Sequence, residues 1–130
     1  MRKLINQGFR WYYRQRYQKL QRTVARPQEA QRTILQQLLR AAEQTEWGRH
    51  FGYRGLRKPE DFAKAVPVQD YESLKPYIQR MMHGEKDVLW SDQVRWFSKS
   101  SGTTEDKSKF IPVSRQNLRQ CHIRGTWDTM

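Results

Sequence analysis

A chain of 130 residues with 36% apolar content, five Trp, six Tyr and five Phe holds material for about one folded domain and is too aromatic for a disordered segment. Its single cysteine, Cys121, excludes an intrachain disulfide and a metal site of several thiolates, and no run reaches the roughly 18 apolar residues of a membrane span. The formal charge of +12 is uneven: residues 1–58 hold fourteen Lys/Arg against three Asp/Glu, and residues 59–130 hold eleven against ten, so the excess belongs to the N-terminal arm.

The chain opens with basic residues but no apolar run behind them, which is not the pattern of a secretory signal. With one cysteine, a reducing, cytoplasmic setting is expected. Leu4, Ile5, Phe9, Tyr12, Tyr13, Tyr17, Leu20 and Val24 recur at helical spacing. Arg2, Arg10, Arg14, Arg16, Lys19 and Arg22 fill much of the remaining surface, and residues 1–26 carry eight basic groups and no acid. This arm is read as a basic amphipathic helix. Its arginines among aromatics suit nucleic acid or an acidic membrane surface, but its apolar stripe favours a helix docked on protein with the arginines in water.

Pro27 ends that helix and suits the first turn of the next. The second helix is predicted from Pro27 to Thr45, with Ala30, Ile34, Leu35, Leu38, Leu39 and Ala42 as its stripe and Glu29 in the first turn. Gly48 and Gly52 break the pattern. Pro59–Lys64 reads as a short capped helix and Val66-Pro67-Val68 as extended chain. Asp70 caps a turn leading through Tyr71, Leu74, Tyr77, Ile78 and Met81 to Gly84. Val88-Leu89-Trp90 and Val94–Phe97 read as short extended pieces, Ser98–Ser108 as a loop and Lys109–Val113 as a strand. Ser114 is an N-cap for a final helix with Leu118, Cys121, His122 and Trp127. Gly125–Met130 carries no stop signal, so a longer natural chain is expected.

Chemistry concentrates in the loop. A strand feeds small hydroxyl residues around a glycine, and a second strand follows. Gly102 lets backbone approach a ligand closely. Consecutive N–H groups in such a loop form an anion-binding concavity. Ser100, Ser101, Thr103 and Thr104 add hydroxyl donors with little bulk, and Lys99, Lys107 and Lys109 supply charge to balance phosphate. The same composition also makes an ordinary solvated turn, and the segment lacks the Gly-x-x-x-x-Gly-Lys-Ser/Thr pattern of a Walker P-loop.

His50, His83 and His122 are scattered and have no neighbouring ligands, so no metal site is expected from them. Cys121 and His122 point about a hundred degrees apart on a helix, which disfavours a catalytic pair. Cys121 is read as a small buried residue, and Tyr71, Tyr77 and Trp90 as core.

Ser100-Ser101-Gly102-Thr103-Thr104, with Lys109 five places on, resembles the phosphate-binding motif of the adenylate-forming superfamily. Its ordered neighbours narrow the likeness: Trp47-Gly48, Phe51-Gly52, Asp61-Phe62, Val66-Pro67-Val68, Asp70-Tyr71-Glu72, Pro76-Tyr77-Ile78, Arg80-Met81-Met82 and Gly84-Glu85 before the loop, and Ser108–Pro112 after it. Residues 28–130 resemble the auxin-responsive Gretchen-Hagen family of acyl-acid amido synthetases, in its bacterial form.

The resemblance implies an α/β fold, of which this chain is an N-terminal fragment: a helical lobe followed by a phosphate-binding β-hairpin. Residues 1–26 would be the basic helix, and residues 27–130 the start of a large adenylation domain. It implies ATP with Mg²⁺, a carboxylic-acid substrate, and an amine or amino-acid acceptor. Ser100, Ser101, Gly102, Thr103 and Thr104 would wrap the phosphates, and Lys109 would neutralise their charge or fix the loop. Many superfamily members carry a second glycine where this chain has Asp106, so the loop closes differently or Asp106 points away. The family's adenine- and metal-binding motifs lie further along a full-length chain, so this polypeptide alone is not expected to catalyse, and its catalytic residues are not identifiable. An acyl- or aryl-CoA ligase of the same superfamily, or a non-enzymatic basic binding module, are the alternatives.

Overall fold

The computed structural model describes residues 2–100 and 108–128. The chain divides into two compact units, residues 1–37 and 38–130. The first unit holds α1 (Arg2–Ala25) and most of α2 (Pro27–Ala42). Arg26 separates the two helices, and Pro27 starts α2 where its missing N–H is not needed. Side chains four apart along α1 meet: Arg16 donates to the Tyr12 hydroxyl at 3.2 Å and Gln21 to that of Tyr17 at 2.8 Å. Phe9, Trp11, Tyr17, Leu20 and Val24 are all exposed.

The second unit begins at the end of α2, where Leu39 and Ala42 are buried. The helix stops at Ala42, three residues short of the expected Thr45. The reason is Thr45 itself. Its buried hydroxyl donates to Ala42 O at 2.7 Å and accepts from Gly48 N at 2.9 Å, which caps a new helix, α3 (Glu46–His50). Gly48 is therefore inside a helix and does not break one. A Cβ there would lie 1.9 Å from Ala42 O. Gly52 does end the helical run, at φ +63°, in the left-handed region that glycine enters without strain. A single 3₁₀ turn, Tyr53–Gly55, leads to α4 (Pro59–Ala65), where Asp61 accepts from Lys58 N at 3.2 Å.

The expected turn after Asp70 is a full helix, α5 (Tyr71–Met82), with Pro76 inside it. Asp70 caps it, accepting from Ser73 N at 2.8 Å. That hydrogen bond holds the Asp70 carboxyl below the ordinary aspartate range. Met81, Val88 and Val94 form the core, with Tyr77, Leu89, Trp90 and Phe97 packed around them. Tyr77 and Trp90 thus take the core places expected of them.

Val88-Leu89-Trp90 is not a strand. Its backbone turns towards α3: Glu46 N donates to Asp87 O at 2.8 Å and Trp47 N to Val88 O at 3.1 Å. Asp87 and Asp92 have positive φ, and Asp87 Oδ1 accepts from Asp92 N at 2.9 Å, which folds the segment back on itself. Two strands follow, β1 (Trp96–Lys99) and β2 (Phe110–Val113), paired antiparallel with Trp96 opposite Val113 and Lys99 opposite Phe110. Ser114 then caps the last helical run, accepting from Asn117 N at 3.0 Å. That run consists of α6 (Arg115–Asn117), a π-helical segment (Leu118–Ile123) and α7 (Arg124–Asp128). Cys121 is exposed in this chain, contrary to the expected burial.

Helices followed by a two-stranded antiparallel sheet give the expected mixed α/β character. No described helix is long and apolar enough to cross a membrane.

Candidate phosphate-loop site

The hairpin stem sets the geometry of the site. Pairing continues one step past the strands: Ser100 N donates to Lys109 O at 3.0 Å, and Lys109 N donates back to Ser100 Oγ at 3.2 Å. The Ser100 hydroxyl thus takes the place of a backbone carbonyl. Ser100 and Lys109 stand where the two strands open into the loop. Ser101, Gly102, Thr103 and Thr104, expected to wrap phosphate, lie outside the described residues, as do Asp106 and Lys107. Of the expected site, the structure places Ser100 and Lys109, and it brings them together.

Side chains alternate across a hairpin, so paired residues share a face and neighbours do not. Lys99 pairs with Phe110, and Lys109 with Ser100. The two lysines therefore stand on opposite faces, and both are exposed. The stem thus presents one positive charge on each side of the loop mouth.

Tyr71, at the start of α5, holds the returning strand. Its hydroxyl accepts from Phe110 N at 2.9 Å. In an antiparallel pair, alternate N–H groups point away from the partner strand, and the tyrosine satisfies one of these. The ammonium of Lys109 lies 5.7 Å from the centre of the Tyr71 ring, within the range of cation–π attraction. One side chain thus holds both the backbone and the charge on the exit side of the loop. Reading Tyr71 as core missed this. The only sequence clue was its place directly after a capping Asp70, which points the first helical side chain back towards the chain that precedes it.

Beside this contact, between α5 and the hairpin, lies a cavity of about 470 Å³ lined by Tyr71, Glu72, Lys75, Ile78, Gln79, Met82, His83, Ser108 and Phe110. Lys75 is paired with Glu72 at 2.8 Å, which raises the lysine pKa. A second cavity, of about 310 Å³, lies between Trp90–Val94 and the start of the last helical run, with Arg115 and Arg119 in its wall. Neither cavity holds a metal-ligating set. Among the described residues there is no group of three or more His, Cys, Asp or Glu placed to bind a metal ion, so Mg²⁺ is assigned no protein ligand here.

The scaffold behind the loop is tied by Arg80, whose guanidinium reaches Glu46 and Glu85 together. Its hydrogen bonds hold both carboxyls below the ordinary glutamate range and push the arginine further up.

Residues 16–130 match the GH3 family N-terminal domain. The chain belongs to the GH3 family. Among its GH3 relatives, the jasmonoyl-L-amino acid synthetase JAR6 of Nicotiana attenuata is 34% identical over 85 residues, covering 65% of this chain and 15% of the relative. The indole-3-acetic acid-amido synthetase GH3.2 of Arabidopsis thaliana is 33% identical over 93 residues, 71% of this chain and 17% of the relative. The solved structure of a GH3.15 acyl acid amido synthetase superposes with a TM-score of 0.72 at 29% identity, covering 86% of this chain and 20% of that one. The expected family and the expected place of the fragment in its fold are thus found. This GH3 chain spans about a sixth of the length of the curated relatives it matches. Those relatives are plant proteins and do not bear on the expected bacterial form. The match starts at residue 16, so the C-terminal part of α1, from Arg16 to Ala25, falls within it and the first fifteen residues do not.

Proposed function

We propose that the intact protein is an ATP-dependent acyl-acid amido synthetase, and that Ser100–Thr104 and Lys109 form its phosphate-holding loop. One observation carries this reading: Ser100 and Lys109, the first and last residues of the motif, pair to close a hairpin stem, in a chain of the GH3 family. Residues 27–130 are read as the start of the adenylation domain. The bacterial form, suggested by the sequence run alone, and a cytoplasmic setting, suggested by the single cysteine, complete it.

The reaction has two halves. A carboxylate oxygen attacks the α-phosphorus of ATP, the bond between the α-phosphorus and the bridging oxygen breaks, and pyrophosphate leaves. An amine nitrogen then attacks the acyl carbon, the bond to AMP breaks, and an amide forms with loss of a proton. Charge crowds on the phosphates throughout, so positioning and electrostatic stabilisation carry most of the rate. The loop's N–H and hydroxyl donors suit that task, and Lys109 would neutralise part of the charge. Mg²⁺, when bound, would screen the phosphates. The acid and the amine are chosen by parts of the protein beyond this chain.

The test is pyrophosphate release by the intact protein across carboxylic acids, with amino acids or coenzyme A as acceptor. Release with amide formation supports the reading. Thioester formation would move the protein to the acyl- or aryl-CoA ligases. ATP–pyrophosphate exchange by residues 1–130 alone would show that the fragment needs no further motifs.

A second reading rests on α1, where Phe9, Trp11 and Tyr17 are exposed among arginines. It makes the helix a contact for nucleic acid or an acidic membrane, as a basic binding module would be. The synthetase reading instead docks this helix on the remainder of the protein. Nucleic-acid binding that collapses between low and moderate salt would favour the binding module.

A further inference from the structure

We infer that Tyr71 is a positioning residue for the phosphate loop: it seats the Lys109 ammonium on its ring and fixes, through its hydroxyl, the strand from which Lys109 projects. The inference rests on the reading of the loop as a phosphate site and says how that site is kept ready before ATP arrives.

Three observations converge on the one side chain. The Tyr71 hydroxyl accepts from Phe110 N at 2.9 Å, across 39 positions of sequence and in a partly buried setting. The Lys109 ammonium lies 5.7 Å from the ring centre. The backbone of Tyr71 is itself fixed, because the Asp70 cap sets the first turn of α5. A lysine on an exposed strand end otherwise samples many rotamers, and ordering it on ligand binding carries an entropic cost. A ring that holds the ammonium at the loop mouth removes part of that cost in advance. The strand hydrogen bond matters for the same reason, since it anchors the backbone one residue beyond Lys109. Leu or Val at position 71 would fill similar space but supply neither interaction.

The experiment is a double-mutant cycle in the intact protein, read as KM for ATP and kcat in pyrophosphate release. Tyr71→Leu should raise KM for ATP about tenfold with little change in kcat, from the loss of one cation–π contact and one hydrogen bond. Tyr71→Phe keeps the ring and should fall between Leu and wild type. In a Lys109→Ala background, Tyr71→Leu should raise KM by less than about twofold, because the group it positions is gone. Thermal melts of each variant separate folding from function. Additive effects of the two substitutions, or a fall in KM on Tyr71→Leu, would overturn the positioning role and leave the phosphate reading in place. A Lys109→Ala variant with unchanged KM and kcat would instead remove Lys109 from the site, and the inference with it.

Discussion

Arg80 binds the carboxylate of Glu46 through two hydrogen bonds, at 3.1 and 2.6 Å, across 34 positions of sequence. The same guanidinium takes Glu85 from the other side. One arginine on α5 thereby ties the start of α3 to the turn that leads towards the hairpin. The three groups are partly exposed, so their value lies in geometry more than in charge. The bidentate arrangement suits arginine and would not survive replacement by lysine.

Acid should loosen this tie. Glu46 and Glu85 have carboxyls held below the ordinary range, chiefly by hydrogen bonds from Arg80. A depressed carboxyl contributes stability that is fully present above its unfolded pKa and is lost as pH falls through its folded value. Stability should therefore drop below the ordinary glutamate range. Arg80→Gln should be less stable than wild type at neutral pH and lose less on acidification. Urea midpoints at about pH 7 and about pH 3 check both. The Asp70 carboxyl, depressed by its bond to Ser73, adds an acid dependence that Arg80→Gln should retain.

Thr45 and Gly48 form a tight cap that tolerates little change. Thr45→Ala removes the acceptor for Gly48 N and should destabilise by about 1 kcal/mol. Gly48→Ala brings a methyl to within 1.9 Å of Ala42 O, a backbone atom that must move for it. The expected loss is about 1–3 kcal/mol. Equilibrium urea unfolding of the two variants would measure both, and a neutral Gly48→Ala would contradict the cap geometry.

Met81→Ala should be a more damaging truncation than Thr45→Ala. Met81 is 2% exposed and packs with Val88 and Val94. The cavity left should cost about 2–5 kcal/mol, visible as a lower unfolding midpoint with unchanged denaturant slope.

On the proposed phosphate role of Lys109, Lys109→Ala in the intact protein should slow adenylate formation at least about tenfold, the scale of one charge-assisted contact to phosphate, and leave the thermal midpoint nearly unchanged. On the same proposed role, Gly102→Val should be worse, because a branched side chain at a glycine of a phosphate loop would keep the backbone from approaching the ligand closely. ATP–pyrophosphate exchange measures each.

Local signals written in short stretches were legible in the sequence. Ser114 and Asp70 are caps by their chemistry, and both cap. Phe110–Val113 was readable as a strand, and the hydroxyl-rich loop between two extended pieces predicted a hairpin. What failed depended on partners far along the chain. Val88-Leu89-Trp90 has a strand's composition, but the carbonyls of Asp87 and Val88 serve the N–H groups of Glu46 and Trp47, more than 40 positions earlier. The turn expected after Asp70 is the full helix α5, which runs through Pro76 with Ile78 and Met81 buried beyond it. Tyr71 looked like core because an aromatic gives no sign of which strand its hydroxyl will meet. Whether the loop grips phosphate was legible only through family likeness. The described geometry ends at the two residues that close the stem.

That closure has a practical consequence. Two hydrogen bonds between Ser100 and Lys109 fix the register of the stem on both sides of the intervening segment. An equal-length segment from another GH3 member can be grafted between these endpoints without changing which way any strand side chain faces. On the proposed phosphate role, such chimeras should differ in KM for ATP while their strands keep the same facing.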